Sequence, residues 1–200
     1  MEMIKTKVNL VNTCWLAIGE APIADDTVLD TVPLGTDVDV AIKMVDRTIF
    51  DVLNKGWFFN IDYDMTLVPD SGGFITLPPS VLRMDSQSKQ YILRNGKVYD
   101  TYSHSFIITQ PIEVDLIYYV EIEELPVSAY FYIGARAARK FQEKVIGDID
   151  MTKITLQEEV DALSDLQRED LQYSKYTLIR GSRIHNGYLV AGLYKSIGRR

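Results

Sequence analysis

The sequence is poor in the residues from which many catalytic and metal centres are built. It has one cysteine and two histidines in 200 residues. Cys14 has no partner for an internal disulfide, which fits a reducing compartment, and its place beside Trp15 predicts a small buried hydrophobe. His104 lies in a polar turn and His185 in a glycine-rich segment, and neither stands beside a nucleophile motif. We therefore predict a protein that is not an enzyme and that needs no metal or cofactor.

Long apolar runs and phosphate-binding motifs are also missing. No stretch of about 18 uninterrupted apolar residues is present, so no membrane-spanning helix is predicted. Residues 1–10 lack the apolar centre of a signal peptide. Neither a G-x-x-x-x-G-K-S/T loop nor a G-x-G-x-x-G turn after a strand occurs. With 46% hydrophobic and 24% charged residues, the composition is that of an ordinary folded domain.

Basic residues are outnumbered and unevenly placed. The net charge is −7, from 21 basic and 28 acidic residues. Five of the basic residues and no acidic residue lie from position 177 onward, so residues 1–176 hold 16 basic and 28 acidic residues, a balance of −12. Such an acidic body is a poor nonspecific binder of nucleic acid. The basic tail is interpreted either as an arm that docks on an acidic surface or as a solvated terminus.

Four segments have the apolar spacing of helices. Three- and four-residue spacing predicts helices over residues 5–18, 37–55, 126–147 and 156–176, with a loop over residues 21–35. Thr36 is expected to cap the second helix, and Thr155 with Glu158 to form a capping box on the fourth. The predicted apolar faces of the last two helices consist of Val127, Tyr130, Phe131, Gly134, Ala138, Phe141 and Val145, and of Leu156, Val160, Leu163, Leu166 and Tyr173.

Residues 57–120 change to the pattern of strands. Strands are predicted at residues 63–68, 74–77, 91–94, 97–99, 105–108 and 112–120. Asn95 and Gly96 separate two of them, which indicates a hairpin with a type I′ turn and positive φ at both residues. The expected structure is a small antiparallel sheet or barrel of five or six strands.

The order of these elements predicts the fold class. It indicates an α+β protein in which a four-helix bundle carries an inserted small antiparallel β-sheet or barrel and an extended C-terminal arm. We expect a discontinuous helical domain of residues 1–56 and 123–176. The β-rich insertion is expected to span residues 57–122, and the arm residues 177–200.

Aromatic residues gather where the strands meet the helices. Trp57, Phe58 and Phe59 precede the first strand, and Tyr130 and Phe131 lie near the start of the third helix. Consecutive aromatic side chains point in different directions, so some are expected to contact the other domain or a neighbouring subunit. A core junction within one chain explains them equally well.

Seven short stretches, taken together, resemble one family. They are, in order, LAIGEAPI (16–23), KGWFFN (55–60), TLVPD (66–70), NGKVYD (95–100), ELP (124–126), ARAARKF (135–141) and LQEEVD (156–161). Their order and the chain length resemble the tail tubular protein A family, the head-to-tail adaptors of short-tailed bacteriophages. The resemblance covers about residues 10–176 and does not extend to the arm.

The resemblance implies a structural virion protein with defined partners. Proteins of this family form a dodecameric ring of identical subunits between the portal ring and a tail nozzle protein, itself similar to tail tubular protein B. Packaged DNA is expected to pass through the channel without specific binding, and no membrane contact is expected. The implied location is the virion tail, after assembly in the host cytoplasm. The acidic balance suits such a channel, because a negative wall does not hold phosphates.

The resemblance also suggests a role for the basic arm. An arm that threads onto a neighbouring ring gives a large contact area, so we expect residues 177–200 to dock on the portal ring. The expected docking residues are Arg180, Arg183, Ile184, Tyr188, Leu189, Leu193, Tyr194, Lys195, Arg199 and Arg200. Their positive charge would speed docking and make it sensitive to salt.

Two other functions compete with the structural adaptor. One is a tail-associated carbohydrate hydrolase that uses two carboxylates, taken from Glu121, Glu123, Glu124, Asp148, Asp150 or the fourth helix. Acidic residues are so numerous that pairs arise by chance, and solvated helix faces and helix N-terminal charges explain them more simply. The other is a helical interaction module unrelated to phages.

Overall fold

The fold is that of an α+β protein, as predicted. The structure is a computed structural model that describes residues 4–86 and 88–178, with side chains up to Tyr173. The described part contains four α-helices, two short 3₁₀ helices and five strands. It divides into a helical unit, built from residues up to 52 and from 121 onward, and a β unit of residues 53–120.

The helical unit is organised around one central helix. Its four helices are α1 (Lys7–Leu16), α2 (Asp37–Leu53), α3 (Val127–Val145) and α4 (Ile149–Leu178). Helix α3 packs against both α1 and α4 and buries nine residues. The largest fully buried side chains on α3 are Tyr132, Phe141 and Ile133. Burial of aromatic and branched side chains of this size is the main source of stability for such a unit.

Ion pairs connect α2 to its neighbours in the helical unit. Lys7 on α1 lies 2.6 Å from Asp46 on α2, and Lys140 on α3 lies 3.4 Å from Asp51 on α2. The apolar face of α2 is buried at Ala41, Val45, Ile49, Val52 and Leu53. Spacing of three and four residues along a helix gives this single buried face, as the sequence indicated.

Helix boundaries differ from the prediction mainly at α4. Asp148 accepts a hydrogen bond from the backbone N–H of Met151 at 2.8 Å, so the helix begins after Asp148 rather than after Thr155. Thr155 lies inside the helix, and its hydroxyl donates to the carbonyl of Met151 at 3.1 Å. The predicted capping box is therefore wrong, because an earlier and better-placed carboxylate caps the helix. The segment predicted as a loop also contains a 3₁₀ helix, Asp26–Thr31.

The predicted apolar faces of α3 and α4 are only partly buried. On α4, Leu166 is buried, whereas Leu156, Val160 and Tyr173 are 47%, 49% and 58% exposed. The buried positions of α4 include three polar residues instead, namely Thr155, Glu159 and Asp170. On α3, Val127 and Phe131 are also exposed. One of these buried polar residues, Glu159, pairs with Arg136 and Arg139 on α3.

The described residues of the β unit form two antiparallel sheets rather than the single sheet predicted. Strands β1 (Ile61–Leu67), β2 (Val81–Ser86) and β5 (Ile112–Tyr118) form a sheet in the order β1-β5-β2. Strands β3 (Tyr91–Arg94) and β4 (Lys97–Asp100) form a hairpin. The hairpin turn has φ of 50° at Asn95 and 71° at Gly96, which confirms the positive φ predicted at both residues.

Three parts of the strand prediction need correction. Residues 74–77 and 105–108 are not strands: they make only isolated bridges, between Thr76 and Lys97 and between Ser105 and Asp100. Pro78 and Pro79 end the first of them, because proline cannot donate to a ladder. Strand β2 was not predicted, since a bulge between Val81 and Arg83 breaks its two-residue alternation.

One apolar core fills the β unit. It includes side chains from the strands and from both bridge segments, namely Ile75, Leu77, Val81, Met84, Val98, Ile108, Ile112, Val114 and Leu116. Buried Asn60 stabilises the entry of the chain into this unit. Its amide donates to the carbonyls of Leu53 and Tyr118 at 2.9 and 2.8 Å, and its oxygen accepts from the N–H of Trp57 at 2.8 Å.

The predicted arm lies almost entirely outside the described residues. Helix α4 continues to Leu178, two residues past the predicted end of the fourth helix. All ten predicted docking residues, from Arg180 to Arg200, fall beyond this point.

Candidate functional site

The residue types that bind metal ions do not cluster in the described part of the chain. Within residues 4–86 and 88–178, no group of three or more His, Cys, Asp or Glu side chains is placed to hold a metal ion. Cys14 is fully buried, which confirms the prediction, and burial raises its pKa to about 12. The residue is therefore a neutral thiol at physiological pH. His104 is exposed in a turn with φ of 53°, and His185 lies outside the described residues.

Most of the carboxylates considered for a hydrolase are exposed, although Glu159 and Asp170 of the fourth helix are buried. Glu121, Glu123, Glu124, Asp148 and Asp150 all face solvent. Asp148 is committed to capping α4, and Asp150 pairs with Lys153 at 2.8 Å. These contacts are the helix N-terminal and surface roles that the sequence favoured for them.

The five aromatic residues singled out in the sequence have different environments. In the β unit, Trp57 is buried, and the rings of Phe58 and Phe59 meet edge to face with centroids 5.4 Å apart. In the helical unit, Tyr130 is buried and its hydroxyl donates to the carbonyl of Thr6 at 3.0 Å. Phe131 is 53% exposed. Of the two aromatic residues singled out in the helical unit, Phe131 is therefore the exposed one.

A charged cluster attaches α4 to α3. Glu159 has 8% of its side chain exposed and accepts hydrogen bonds from Arg136 at 2.6 Å and from Arg139. Burial opposes the charge on Arg136, but Tyr132 and Glu159 outweigh it and raise the pKa of the guanidinium. Burial also raises the pKa of Tyr132, whose hydroxyl accepts from Arg136 at 3.2 Å. Because these charges are paired in a partly buried setting, removal of one partner would leave the others without compensation.

Helices α2 and α3 form a positively charged groove on the helical unit. It has a volume of about 500 Å³ and is lined by Val40, Lys43, Met44, Arg47, Lys140, Glu143 and Lys144. We call this set the basic groove. Lys43 pairs with Asp39 at 2.8 Å, and this pairing, with a hydrogen bond from the Gly35 N–H, lowers the pKa of Asp39.

Helix α4 presents an acidic face that is separate from its buried side. Ile154, Glu158, Asp161 and Asp165 are all exposed and follow the spacing that places residues on one side of a helix. We call these four residues the acidic stripe. The acidic residues of α4 are apparent in the sequence, but the groove is not, because its basic residues come from two helices and Arg47 and Lys140 lie 93 positions apart in the chain.

The helices of the described part do not have membrane-spanning character. None of them combines sufficient length with sufficient apolar content to cross a bilayer.

Comparison with known proteins identifies the family. No curated protein sequence gave a significant match to the chain. The sequence profile of the tail tubular protein family matches residues 8–176, which include α1, both sheets, α3 and most of α4. This confirms the resemblance found in the short motifs. The chain therefore belongs to the tail tubular protein family and is a structural protein of a bacteriophage virion tail.

Proposed function

We propose that the protein is the adaptor of a short, non-contractile tail and joins the portal to the tail nozzle. In this proposal identical subunits form a dodecameric ring, the helical unit is a four-helix bundle, and the ring lines the channel through which DNA is ejected. The observation that carries the proposal is the family match across residues 8–176. The motifs of the adaptor family recur in order over the same residues.

The charge of the chain supports a channel through which DNA slides. Residues 1–176 carry 16 basic and 28 acidic residues. A wall with this balance repels phosphates and releases few counterions on contact with DNA, so it does not bind the passing duplex. The basic segment after residue 176 is then available for an acidic surface on the portal ring.

An order-of-addition experiment tests the proposal. Portal rings and nozzle protein from the same phage are mixed with and without this protein, and the complexes are separated by sedimentation. We expect portal and nozzle to co-sediment only when the protein is present. Direct binding of nozzle to portal, with no place for this protein between them, would contradict the adaptor function.

A further inference from the structure

The basic groove concentrates positive charge on an otherwise acidic chain. Four of its seven lining residues are basic and one is acidic. Lys43 and Lys140 have partners on α2, Asp39 at 2.8 Å and Asp51 at 3.4 Å. Arg47 and Lys144 have no ion pair within the described part of the chain. The groove is therefore suited to an acidic occupant that meets these two cations.

Apolar residues in the groove restrict the chemistry of that occupant. Val40 and Met44 are part of the lining and are half-buried. Nucleic acid phosphates would pair with the cations but leave these two side chains without an apolar partner. An acidic helix that also carries an exposed apolar side chain satisfies both requirements.

The acidic stripe of α4 has this composition. Glu158, Asp161 and Asp165 follow Ile154 along one side of the helix, and Ile154 is 58% exposed. Asp165 pairs with Arg168 at 3.0 Å, whereas Glu158 and Asp161 have no ion pair among the described residues. From Ile154 to Asp165 the stripe extends about 16 Å along the helix axis, at about 1.5 Å per residue.

We propose that the acidic stripe of one copy docks in the basic groove of the next copy. The two surfaces are different and lie on the same chain, so the contact is head-to-tail and repeats around a closed ring. The inference rests on the proposed ring function and names the surface that builds the ring. Contacts between exposed charges are weak and are screened by salt, so free subunits associate poorly until portal docking raises their local concentration.

Charge reversal tests the complementarity of the two surfaces. The groove variant carries Arg47→Glu and Lys144→Glu, and the stripe variant carries Glu158→Lys and Asp161→Lys. All four substitutions introduce a good helix former, Glu or Lys, at an exposed helical position. We expect each variant alone to self-associate at least about tenfold more weakly than the wild type at low salt, by sedimentation over a range of concentrations. An equimolar mixture of the two recovers association, because each groove then meets a stripe of opposite charge.

Matched control variants separate this contact from the effect of net charge. Lys55→Glu with Lys89→Glu, and Glu121→Lys with Glu123→Lys, make the same changes in charge at exposed positions elsewhere. They should associate like the wild type. The proposal would be overturned if the groove and stripe variants self-associate as strongly as the wild type. It would also be overturned if mixing the two variants does not restore association.

Cross-linking tests the direction of the contact even when association is weak. A chain with Glu143→Cys and Ile154→Cys has one new thiol in the groove and one in the stripe, and buried Cys14 does not compete. A short bis-maleimide should produce a ladder of covalent oligomers from this chain and dimers from a mixture of the two single variants. Absence of the ladder would overturn the proposal. Binding of duplex DNA by the wild type that is lost only in the groove variant would assign the groove to nucleic acid instead.

The two proposals fail in different ways. If portal, protein and nozzle form a ternary complex but no ladder appears, the surface assignment is wrong and the adaptor function stands. If the ladder appears but the ternary complex does not form, self-association stands and the adaptor function is wrong.

Discussion

The turn at Asn95 and Gly96 requires an uncommon backbone conformation, and the Gly96 carbonyl accepts a hydrogen bond from the Leu77 N–H at 2.8 Å. Both residues have positive φ, and a Cβ added at Gly96 would come no closer than 3.8 Å to its nearest neighbour, the Leu77 carbonyl. A substitution here therefore measures the conformational preference of the residue, without a steric clash.

Gly96→Val should destabilise the β unit. A β-branched side chain tolerates positive φ poorly, and we expect a loss of about 1–3 kcal/mol in the free energy of unfolding. Urea denaturation followed by circular dichroism measures this loss. Asn95→Gly is the control, because glycine keeps access to positive φ, and it should change stability much less. An unchanged unfolding curve for Gly96→Val would mean that the turn is not type I′ in solution.

Glu159→Ala should weaken the attachment of α4 to α3. It leaves Arg136 and Arg139 without their shared carboxylate in a partly buried setting, which costs on the order of 3 kcal/mol. Glu158→Ala is the matched control, because Glu158 is adjacent but exposed, and its effect should stay within about 0.5 kcal/mol. Equal losses in the free energy of unfolding for the two variants, measured by thermal or urea unfolding, would contradict a special role for Glu159.

Among the secondary-structure elements, α4 has two candidate N-cap residues, Asp148 and Thr155, and substitutions at each can distinguish them. Asp148→Ala removes a carboxylate that accepts from the Met151 N–H, and we expect it to cost about 1 kcal/mol. Thr155→Val keeps the side-chain volume and removes only a hydroxyl bonded back to the preceding turn, so its cost should be smaller. Hydrogen exchange rates of the first α4 amides measure how much each substitution opens the first turn of the helix. If Thr155→Val opens them more than Asp148→Ala, the helix starts where the sequence pattern placed it.

Elements with one strong local signal could be predicted from the sequence. The buried face of α2 follows from its apolar spacing, and the β3–β4 hairpin follows from Asn95-Gly96. Strand β2 could not be predicted, because its bulge disrupts the alternation on which strand prediction depends. The inward face of α4 could not be predicted either, since the Glu159 ion pairs with α3 arise only in the folded unit.

The basic groove and the acidic stripe could be predicted from the sequence to a smaller extent than the helices and strands. The four groove residues of α2, from Val40 to Arg47, share one helix side and can be read from their spacing. Their combination with Lys140 and Lys144 depends on how α2 and α3 pack. The acidic stripe is visible in the sequence only as part of a general excess of acidic residues.

At the scale of the whole molecule, the arm should act in assembly rather than in subunit stability. Deleting residues 181–200 removes four of the five basic residues of the arm and leaves Arg180. We expect the melting temperature of the isolated protein to stay nearly unchanged and portal binding to be lost or sharply weakened. Wild-type binding by the truncated protein would refute the docking role, and its unfolding would mean that the arm belongs to the subunit core.

On the proposed function, identical subunits assemble head-to-tail into a ring on the portal. Cryo-electron microscopy of portal rings incubated with this protein would show this ring. We expect a closed dodecameric ring beneath the portal, with the α4 acidic stripe of each subunit against the basic groove of its neighbour. Two-fold dimers in both the free and the portal-bound protein, or portal rings that remain bare, would contradict it.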